Sequence, residues 1–317
     1  MAATPIELLG VEAIRQKGLF KAYKWLIIRR FSQLSVLVLF LMGPWFGMWI
    51  VKGNLNSSLV LEIVRLTDPY ILLQTIITGY LPETTAFIGA ILVLIFYLLV
   101  GGRAYCSWVC PINIVTDFSM WLRYKLNIKS TFSMSRQTRY WILAMTLILS
   151  TISGTLAWEF VNPVSMVNRA LVFGMGFAWI MILMIFLLDT FISRRAWCGH
   201  LCPVGAFYSL LGKFSLIRVN AVALDKCDSC MECYVVCPEQ KVITPVLKKT
   251  GRVTSLINDV NCTNCGRCVD ICGTEVFQFD LRFNNIESKQ ALTAQYNSES
   301  ISKLRNTNQS QKREVLS

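Results

Sequence analysis

Histidine is almost absent from this chain of 317 residues, since His200 is the only one. A membrane cytochrome b needs axial histidines inside its helices, and attachment of c-type haem needs a C-x-x-C-H motif, which the sequence lacks. The composition therefore excludes haem, unless methionine side chains replace histidine as axial ligands. For His200, between Cys198 and Cys202, we expect a local hydrogen bond, with a ligand or proton-carrier role as the alternative.

Charged residues are also scarce. They make up 16% of the chain, whereas 54% is apolar and the mean hydropathy is +0.49, which is too apolar for an ordinary soluble domain of this length. The formal net charge of +12 is compatible with nucleic-acid binding, but the Lys and Arg residues flank long apolar runs instead of forming one basic face. We therefore expect a membrane protein without a nucleic-acid partner.

Four apolar runs are long enough to cross about 30 Å of hydrocarbon as helices. They cover residues 31–51, 85–102, 140–158 and 170–192. Lys and Arg concentrate before the first run, after the second and after the fourth, which predicts that both termini are cytoplasmic. Between the first two runs, residues 59–81 predict a short helix lying at the membrane surface.

The twelve cysteines all fall in tight clusters, which is typical of metal ligands and not of a secreted disulfide framework. Eight of them form two C-x2-C-x2-C-x3-C runs, the spacing of a ferredoxin with two [4Fe-4S] clusters, in which the fourth cysteine of each run crosses over. The predicted ligands are Cys227, Cys230, Cys233 and Cys272 for the first cluster, and Cys262, Cys265, Cys268 and Cys237 for the second. The alternative, structural zinc, usually shows C-x2-C pairs with a longer spacer.

These patterns predict a membrane α-helical fold, with four transmembrane helices followed by a small α+β bacterial-type two-[4Fe-4S] ferredoxin domain. The predicted parts are a cytoplasmic N-terminal tail at 1–30, the four-helix domain at 31–214, the ferredoxin domain at 215–283 and a disordered polar tail at 284–317. The ferredoxin domain should share the cytoplasmic side with both termini.

The other four cysteines belong to an internal repeat. Arg103-Ala104-Tyr105 followed by C-x3-C-P recurs as Arg195-Ala196-Trp197 followed by C-x3-C-P, each copy directly after an apolar run. Each proline favours a helix start, whose dipole would favour thiolates. If the two units pack side by side, Cys106, Cys110, Cys198 and Cys202 meet and hold an additional iron centre. The alternatives are redox thiols and simple buried thiols.

A quinone site would need a polar group beside an apolar cleft. Asp68, which precedes Pro69, and Glu159, shortly before Asn162-Pro163, are weak candidates for contact with quinone or its protons, because ionisable residues at membrane depth are often functional. The alternative for both residues is capping or ion pairing at a helix end.

The combination of motifs resembles the NapH family, the membrane subunits of the quinol dehydrogenase module of periplasmic nitrate reductase. Several stretches carry the resemblance, which covers roughly residues 15–279: Gly43-Pro44-Trp45-Phe46-Gly47, Thr67-Asp68-Pro69, Cys106-Ser107-Trp108-Val109-Cys110-Pro111 and Trp197-Cys198-Gly199-His200. It implies a multi-pass protein of the bacterial inner membrane that oxidises quinol with a periplasmic ferredoxin-type partner (NapG). Electrons would then pass through c-type cytochromes toward nitrate reductase.

By the same resemblance the chain would be an electron-transfer component and carry no bond-making chemistry alone. Two other functions stay open on the motifs. One is a membrane ferredoxin that serves assembly of the metal centres of a cytochrome oxidase, and the other is a thiol or iron–sulfur redox sensor.

Overall fold

The computed structural model describes residues 9–128, 132, 134–174, 176–247 and 254–283. The polar tail predicted at 284–317 lies outside the described residues. Short helices α1 (Val11–Lys17) and α2 (Leu19–Ala22) lead into α3 (Lys24–Phe46), which starts seven residues before the predicted span. On α3, Phe31 is 72% exposed whereas Arg29 and Gln33 are fully buried. This inside-out distribution is opposite to that of a soluble helix.

Three antiparallel strands follow α3, namely β1 (Val51–Gly53), β2 (Ser57–Val60) and β3 (Val64–Thr67), in the order β1-β2-β3. Helix α4 (Pro69–Ile77) comes next. The short helix predicted within 59–81 is therefore present, and its position at the membrane surface stays a prediction. Tyr70 and Gln74 of α4 are fully buried, because the helix packs against other helices of the domain.

Five further helices complete most of the helical domain: α5 (Thr84–Val100), α6 (Ile112–Lys125), α7 (Thr138–Ser153), α8 (Pro163–Phe173) and α9 (Phe177–Leu187). Four spans were predicted, but among the described residues only α3 is long and apolar enough to cross a membrane. Thr84–Val100 and Phe177–Ile192 are shorter apolar helices. Gly154 ends α7 within the predicted third run, and Gly174 ends α8 within the predicted fourth run. Both glycines have a positive φ, which glycine adopts without strain.

The internal repeat extends beyond the cysteines. Helices α4 and α8 both begin with proline and follow a residue whose side chain caps them. Asp68 accepts a hydrogen bond from Tyr70 N at 2.7 Å, and Asn162 accepts one from Val164 N at 3.1 Å. Each short capped helix thus precedes an apolar helix and then a C-x3-C-P motif.

Helix α10 (Pro203–Leu211) connects to the ferredoxin domain, which consists of β4 (Ile217–Ala221), α11 (Glu232–Val236), α12 (Gln240–Ile243), α13 (Arg267–Ile271) and β5 (Phe277–Leu281). Strands β4 and β5 pair antiparallel, with Ile217 opposite Leu281. The core between them and the helices contains Val219, Ile243 and Phe277.

The ferredoxin domain packs onto the start of α3. Asp270 on α13 accepts hydrogen bonds from the backbone N–H groups of Trp25 and Leu26, at 3.1 and 2.9 Å. These N–H groups have no partner within their own helix, so Asp270 caps α3 from another domain. Trp25 also contacts Trp108 and Phe279 edge to face. The two domains are therefore held in one arrangement.

Candidate metal centres

Both C-x3-C-P motifs adopt the same local structure. Residues Tyr105–Val109 and Trp197–Leu201 each form a π turn, and the following cysteine is extended, with φ/ψ of −65°/120° at Cys110 and −73°/114° at Cys202. The extended backbone is the conformation favoured before proline. Helices α6 and α10 start directly afterwards, as the prolines predict.

The four cysteines of the two motifs line one cavity, which we call the four-cysteine cavity. Cys106 and Cys110 reach it from the first repeat unit and Cys198 and Cys202 from the second. Asp68 and Asn162, the caps of α4 and α8, also line it. The two halves of the repeat therefore bring their equivalent elements to one place.

Buried polar side chains hold the two cysteine loops. Gln33 on α3 donates from Nε2 to the carbonyl oxygen of Ser107 at 2.8 Å, inside the first π turn. Asp189 accepts from the backbone N–H of Trp197 at 3.0 Å, at the start of the second. Arg103 donates from Nη2 to the carbonyl oxygen of Cys198 at 3.1 Å and so connects the two loops.

One buried donor in this cavity has no partner. Trp158 is 4% exposed and lines the cavity, and its Nε1 makes no hydrogen bond in the described part of the chain. Its ring lies nearly parallel to that of Trp197, with the centroids 6.5 Å apart. A buried N–H without an acceptor is costly. A cluster sulfide or thiolate in the cavity would supply the acceptor, so the residues present fit an iron–sulfur group.

The ferredoxin domain contains two more cavities lined by cysteines. Cys227, Cys230, Cys233 and Cys272 line one, and we call it the first ferredoxin cavity. Cys237, Cys262, Cys265 and Cys268 line the other, the second ferredoxin cavity. In each cavity the fourth cysteine comes from the other run, which is the grouping that the spacing predicts for a two-cluster ferredoxin.

The loops that carry these cysteines contain residues in the left-handed backbone conformation, with positive φ. Met231 and Gly266 occupy the same place in the two runs, directly before α11 and α13, with φ of 65° and 74°. A side chain is tolerated at Met231 but not at Gly266, where a Cβ atom would lie 2.7 Å from the side chain of Trp25. Glycine there allows α3 to approach the second ferredoxin cavity closely.

The second ferredoxin cavity faces the cysteine loops of the helical domain. Ser107 Oγ donates to the carbonyl oxygen of Thr263 at 2.7 Å, and Arg103 Nη1 donates to that of Asn261 at 3.0 Å. Asn264 in turn donates from Nδ2 to the carbonyl oxygen of Val100 at 3.0 Å. The loop between Cys262 and Cys265 is therefore docked on the first π turn.

Positive charge surrounds this contact. Four arginines pair with the single carboxylate of Asp117 on α6, which lies outside the predicted spans: Arg29, Arg30, Arg195 and Arg267. Burial would raise the pKa of Asp117, but the four positive charges outweigh it and hold that pKa well below its usual range. The cluster joins α3, α6, the second cysteine motif and α13.

The two ferredoxin cavities differ in charge. In the second cavity, burial would raise the pKa of the Cys265 thiol, but Arg267 and Arg29 reverse the shift and lower it. In the first cavity, burial raises the pKa of Cys230 to about 11, and Asp228 and Glu232 line the wall. Burial raises the pKa of the other three cysteines of the second cavity, as it does for Cys233 in the first, so the lowered pKa is specific to Cys265.

The two quinone-site candidates occupy different surroundings. Asp68 is 6% exposed and lies inside the domain, whereas the carboxylate of Glu159 pairs with Asn56 and Arg169, and Glu159 does not line the four-cysteine cavity. His200 Nδ1 lies 3.2 Å from the carbonyl oxygen of Ser135, 65 residues away in the sequence, so the hydrogen bond of His200 is not local as predicted. Among the described residues, no three or more His, Cys, Asp and Glu side chains are arranged around a single metal ion.

Sequence reasoning missed the arginines that dock the two domains and the tryptophan in the four-cysteine cavity. Arg103 and Arg195 had a signal, because each occupies the same position of the repeat, three residues before the first cysteine. Trp158 had none, since it stands outside the motifs. Its role depends on contacts across the fold.

Comparisons with known proteins agree with this organisation. A family model described as a 4Fe-4S binding domain matches twice, at residues 83–129 and 175–220, and one described as a 4Fe-4S dicluster domain matches residues 226–276. The double match confirms the internal repeat. No solved structure matches the chain.

Three curated relatives are similar over most of their length. The methylamine utilization ferredoxin-type protein MauN of Methylorubrum extorquens is 50% identical over 87% of this chain and 95% of its own. The ferredoxin-type protein NapH of Haemophilus influenzae is 45% identical over 90% of this chain and 99% of its own. NapH of Escherichia coli is 44% identical over 87% and 96%.

The fold and the cysteine-lined cavities, with these matches, define a ferredoxin-type iron–sulfur electron-transfer protein. Within that class, the chain belongs to the family of the NapH and MauN ferredoxin-type proteins, which confirms the resemblance in the sequence.

Proposed function

We propose that this chain is a multi-pass protein of the bacterial inner membrane that oxidises quinol together with a periplasmic ferredoxin-type partner. Oxidation of one quinol yields quinone, two protons and two electrons, and [4Fe-4S] clusters take up electrons one at a time. The electrons would leave through the partner and c-type cytochromes toward a periplasmic reductase. As the resemblance to the NapH family implies, this reductase would be the periplasmic nitrate reductase.

The observation that carries the proposal is the docking of the second ferredoxin cavity on the four-cysteine cavity. Arg103 makes hydrogen bonds to Asn261 beside Cys262 and to Cys198 in the helical domain, so one side chain contacts both cysteine sites. A redox sensor or simple buried thiols would not need this direct connection between the two sites. Electron transfer benefits from it, because the centres are held close together and away from water.

The proposed ligands follow the three cavities. Cys227, Cys230, Cys233 and Cys272 would hold one [4Fe-4S] cluster, and Cys237, Cys262, Cys265 and Cys268 the other. Cys106, Cys110, Cys198 and Cys202 would hold a third iron–sulfur centre. The match of a 4Fe-4S binding domain model to both halves of this third site supports the assignment.

The distribution of apolar side chains supports several spans. Trp141 and Ile148 on α7 are 75% and 60% exposed, and Phe177 and Ile180 on α9 are 81% and 63% exposed, which suits lipid better than water. Helix α5 is about 25 Å long at 1.5 Å per residue, so the bilayer would have to thin slightly around it. The ferredoxin domain and the buried arginines would lie on the cytoplasmic side.

A second function, electron transfer in methylamine utilization, is favoured by one observation. The MauN relative shares 50% identity with this chain, against 45% for the NapH relative. The chemistry of the cysteine sites is the same in both functions. Deleting the gene and comparing growth on methylamine with anaerobic growth on nitrate separates them, because only one of the two should fail.

The direct test is anaerobic mixing of the purified protein with a short-chain quinol. Cluster reduction, followed by the loss of visible absorption and by EPR, should appear in the wild type. It should be lost when Cys106 and Cys198 are both replaced by alanine. Unchanged reduction in this variant would contradict a role for the four-cysteine site, and no reduction of the wild type would overturn quinol oxidation.

A further inference from the structure

A second cavity lies beside the four-cysteine cavity and has an apolar character. It has a volume of about 320 Å³ and is bounded by α3, β1 to β3, α5, the first π turn and α10. We call it the tyrosine cavity, after Tyr97, Tyr105 and Tyr208 in its wall. The volume is within the range of about 300–1,000 Å³ that small-molecule sites occupy.

The three tyrosine rings form one aromatic wall. Tyr105 and Tyr208 are stacked with centroids 5.1 Å apart and an interplanar angle of 19°, and Tyr97 meets both edge to face. Val36, Phe40 and Val93 supply further apolar surface. Leu39 lines the cavity and is 37% exposed, so it also belongs to the apolar outer surface of the domain. Such a site suits a flat ring with an apolar tail.

Thr67 and Asp68 are buried polar residues that line this apolar site. Thr67 is 6% exposed, and its hydroxyl has no hydrogen-bond partner within the described residues. Asp68 accepts from the N–H groups of Tyr70 and Ile71 and from the hydroxyl of Tyr208, at 3.2 Å, and no basic side chain among the described residues forms an ion pair with it. A carboxylate has about four acceptor sites, so one remains for a ligand hydroxyl. A buried charge without a counter-ion marks a functional position.

Asp68 and Tyr105 line both the tyrosine cavity and the four-cysteine cavity. A ring in the tyrosine cavity would therefore be separated from the cysteine site only by side chains of one wall. This position combines an apolar pocket, a free hydroxyl and an acceptor next to a redox site. Glu159 lines neither cavity and is already paired with Arg169.

We infer that the tyrosine cavity is the quinol-binding site, with the quinol hydroxyl bound to the Asp68 carboxylate and the Thr67 hydroxyl. The inference rests on the proposed function for the class of ligand and adds the place and the contacts. Of the two carboxylates that the sequence singles out, Asp68 would bind quinol and Glu159 would have a structural role.

The test uses the full-length protein in nanodiscs and a photoreactive azido-quinone as the probe. Labelled peptides mapped by mass spectrometry should come from the walls of the tyrosine cavity, and a short-chain quinone should compete. Val93→Trp fills the cavity and should lower specific labelling at least tenfold. Leu92→Trp is the matched control, because Leu92 is the neighbouring residue of α5 and is 50% exposed; its labelling should equal that of the wild type.

Two milder changes keep the test valid if the tryptophan variant does not fold. Thr67→Val and Asp68→Asn should each weaken quinone binding about tenfold, as expected for a lost hydrogen bond to a buried or charged group. Asn162 already caps α8 as Asp68 caps α4, so asparagine preserves the cap. Glu159→Gln, the control, should bind quinone as the wild type does.

The outcomes distinguish the proposed quinol-binding site from the proposed oxidation of quinol. Labelling outside the tyrosine cavity, or unchanged labelling in Val93→Trp, would overturn this site while quinol still reduces the clusters. Labelling at the cavity in a wild type that quinol does not reduce would support the site and overturn the proposed reaction.

Discussion

Trp108, in the first cysteine motif of the helical domain, donates a hydrogen bond of 3.0 Å from Nε1 to the carbonyl oxygen of Asn264, between two cysteines of the ferredoxin domain. Residues 156 positions apart are thus in direct contact at the boundary of two cysteine sites. The bond is one of several that fix the ferredoxin domain in place.

Replacing Trp108 by phenylalanine should loosen this docking. Phenylalanine keeps the six-membered ring and loses the five-membered ring that carries the N–H donor. We expect the lost hydrogen bond to lower the free energy of unfolding by about 1 kcal/mol. Thermal unfolding in detergent should show a lower midpoint. Trp141→Phe is the control, since Trp141 is 75% exposed, and an equal loss in both variants would contradict a specific docking bond.

Replacing Asp117 by asparagine should destabilise the protein more strongly. The change leaves Arg29, Arg30, Arg195 and Arg267 without their shared carboxylate, and breaking a buried ion pair typically costs about 3–5 kcal/mol. Thermal unfolding measures the effect. Asp225→Asn, at an exposed position, should leave the midpoint unchanged.

The same carboxylate predicts sensitivity to acid. Because the folded-state pKa of Asp117 is lowered, its contribution to stability is complete above the unfolded pKa of about 4 and declines as the pH falls below that value. A titration of the unfolding midpoint from pH 7 to pH 3 should therefore show a decline that Asp117→Asn lacks. Parallel curves for the two proteins would contradict this assignment.

The charges around the ferredoxin cavities predict unequal cluster potentials. Arg267 and Glu239 line the second cavity and offset each other, whereas two carboxylates, Asp228 and Glu232, line the first, so the cluster in the second cavity should be the easier one to reduce. Arg267→Gln should lower its midpoint potential on the order of 50 mV. An EPR redox titration measures both clusters, and the first cluster is the internal control. An equal shift of both would contradict the local effect.

An iron count tests the third centre. The wild type should contain about 12 iron atoms, and the variant with Cys106, Cys110, Cys198 and Cys202 all replaced by alanine about 8, since each [4Fe-4S] cluster holds four. Acid-labile sulfide should fall in parallel. About 8 iron atoms in both proteins would leave these four cysteines as thiols.

Much of the site follows from local sequence. The eight ferredoxin cysteines group in the structure as their spacing predicts, because a short loop limits where three thiols can lie. The helices after both C-x3-C-P motifs start as the prolines predict. The span lengths were less predictable, because Gly154 and Gly174 end helices inside runs that remain apolar in composition.

By itself, the sequence determined the cysteine motifs, their duplication, the apolar character and the family, since each of these is a local pattern or a similarity along the chain. Only the tertiary structure decided that four distant cysteines share a cavity, that Asp68 and not Glu159 lies beside it, and that the second ferredoxin cavity faces it. The physical reason is that these relationships depend on the packing of helices and on buried hydrogen bonds. Arg103 and Asn261 are 158 residues apart, and no spacing rule connects them.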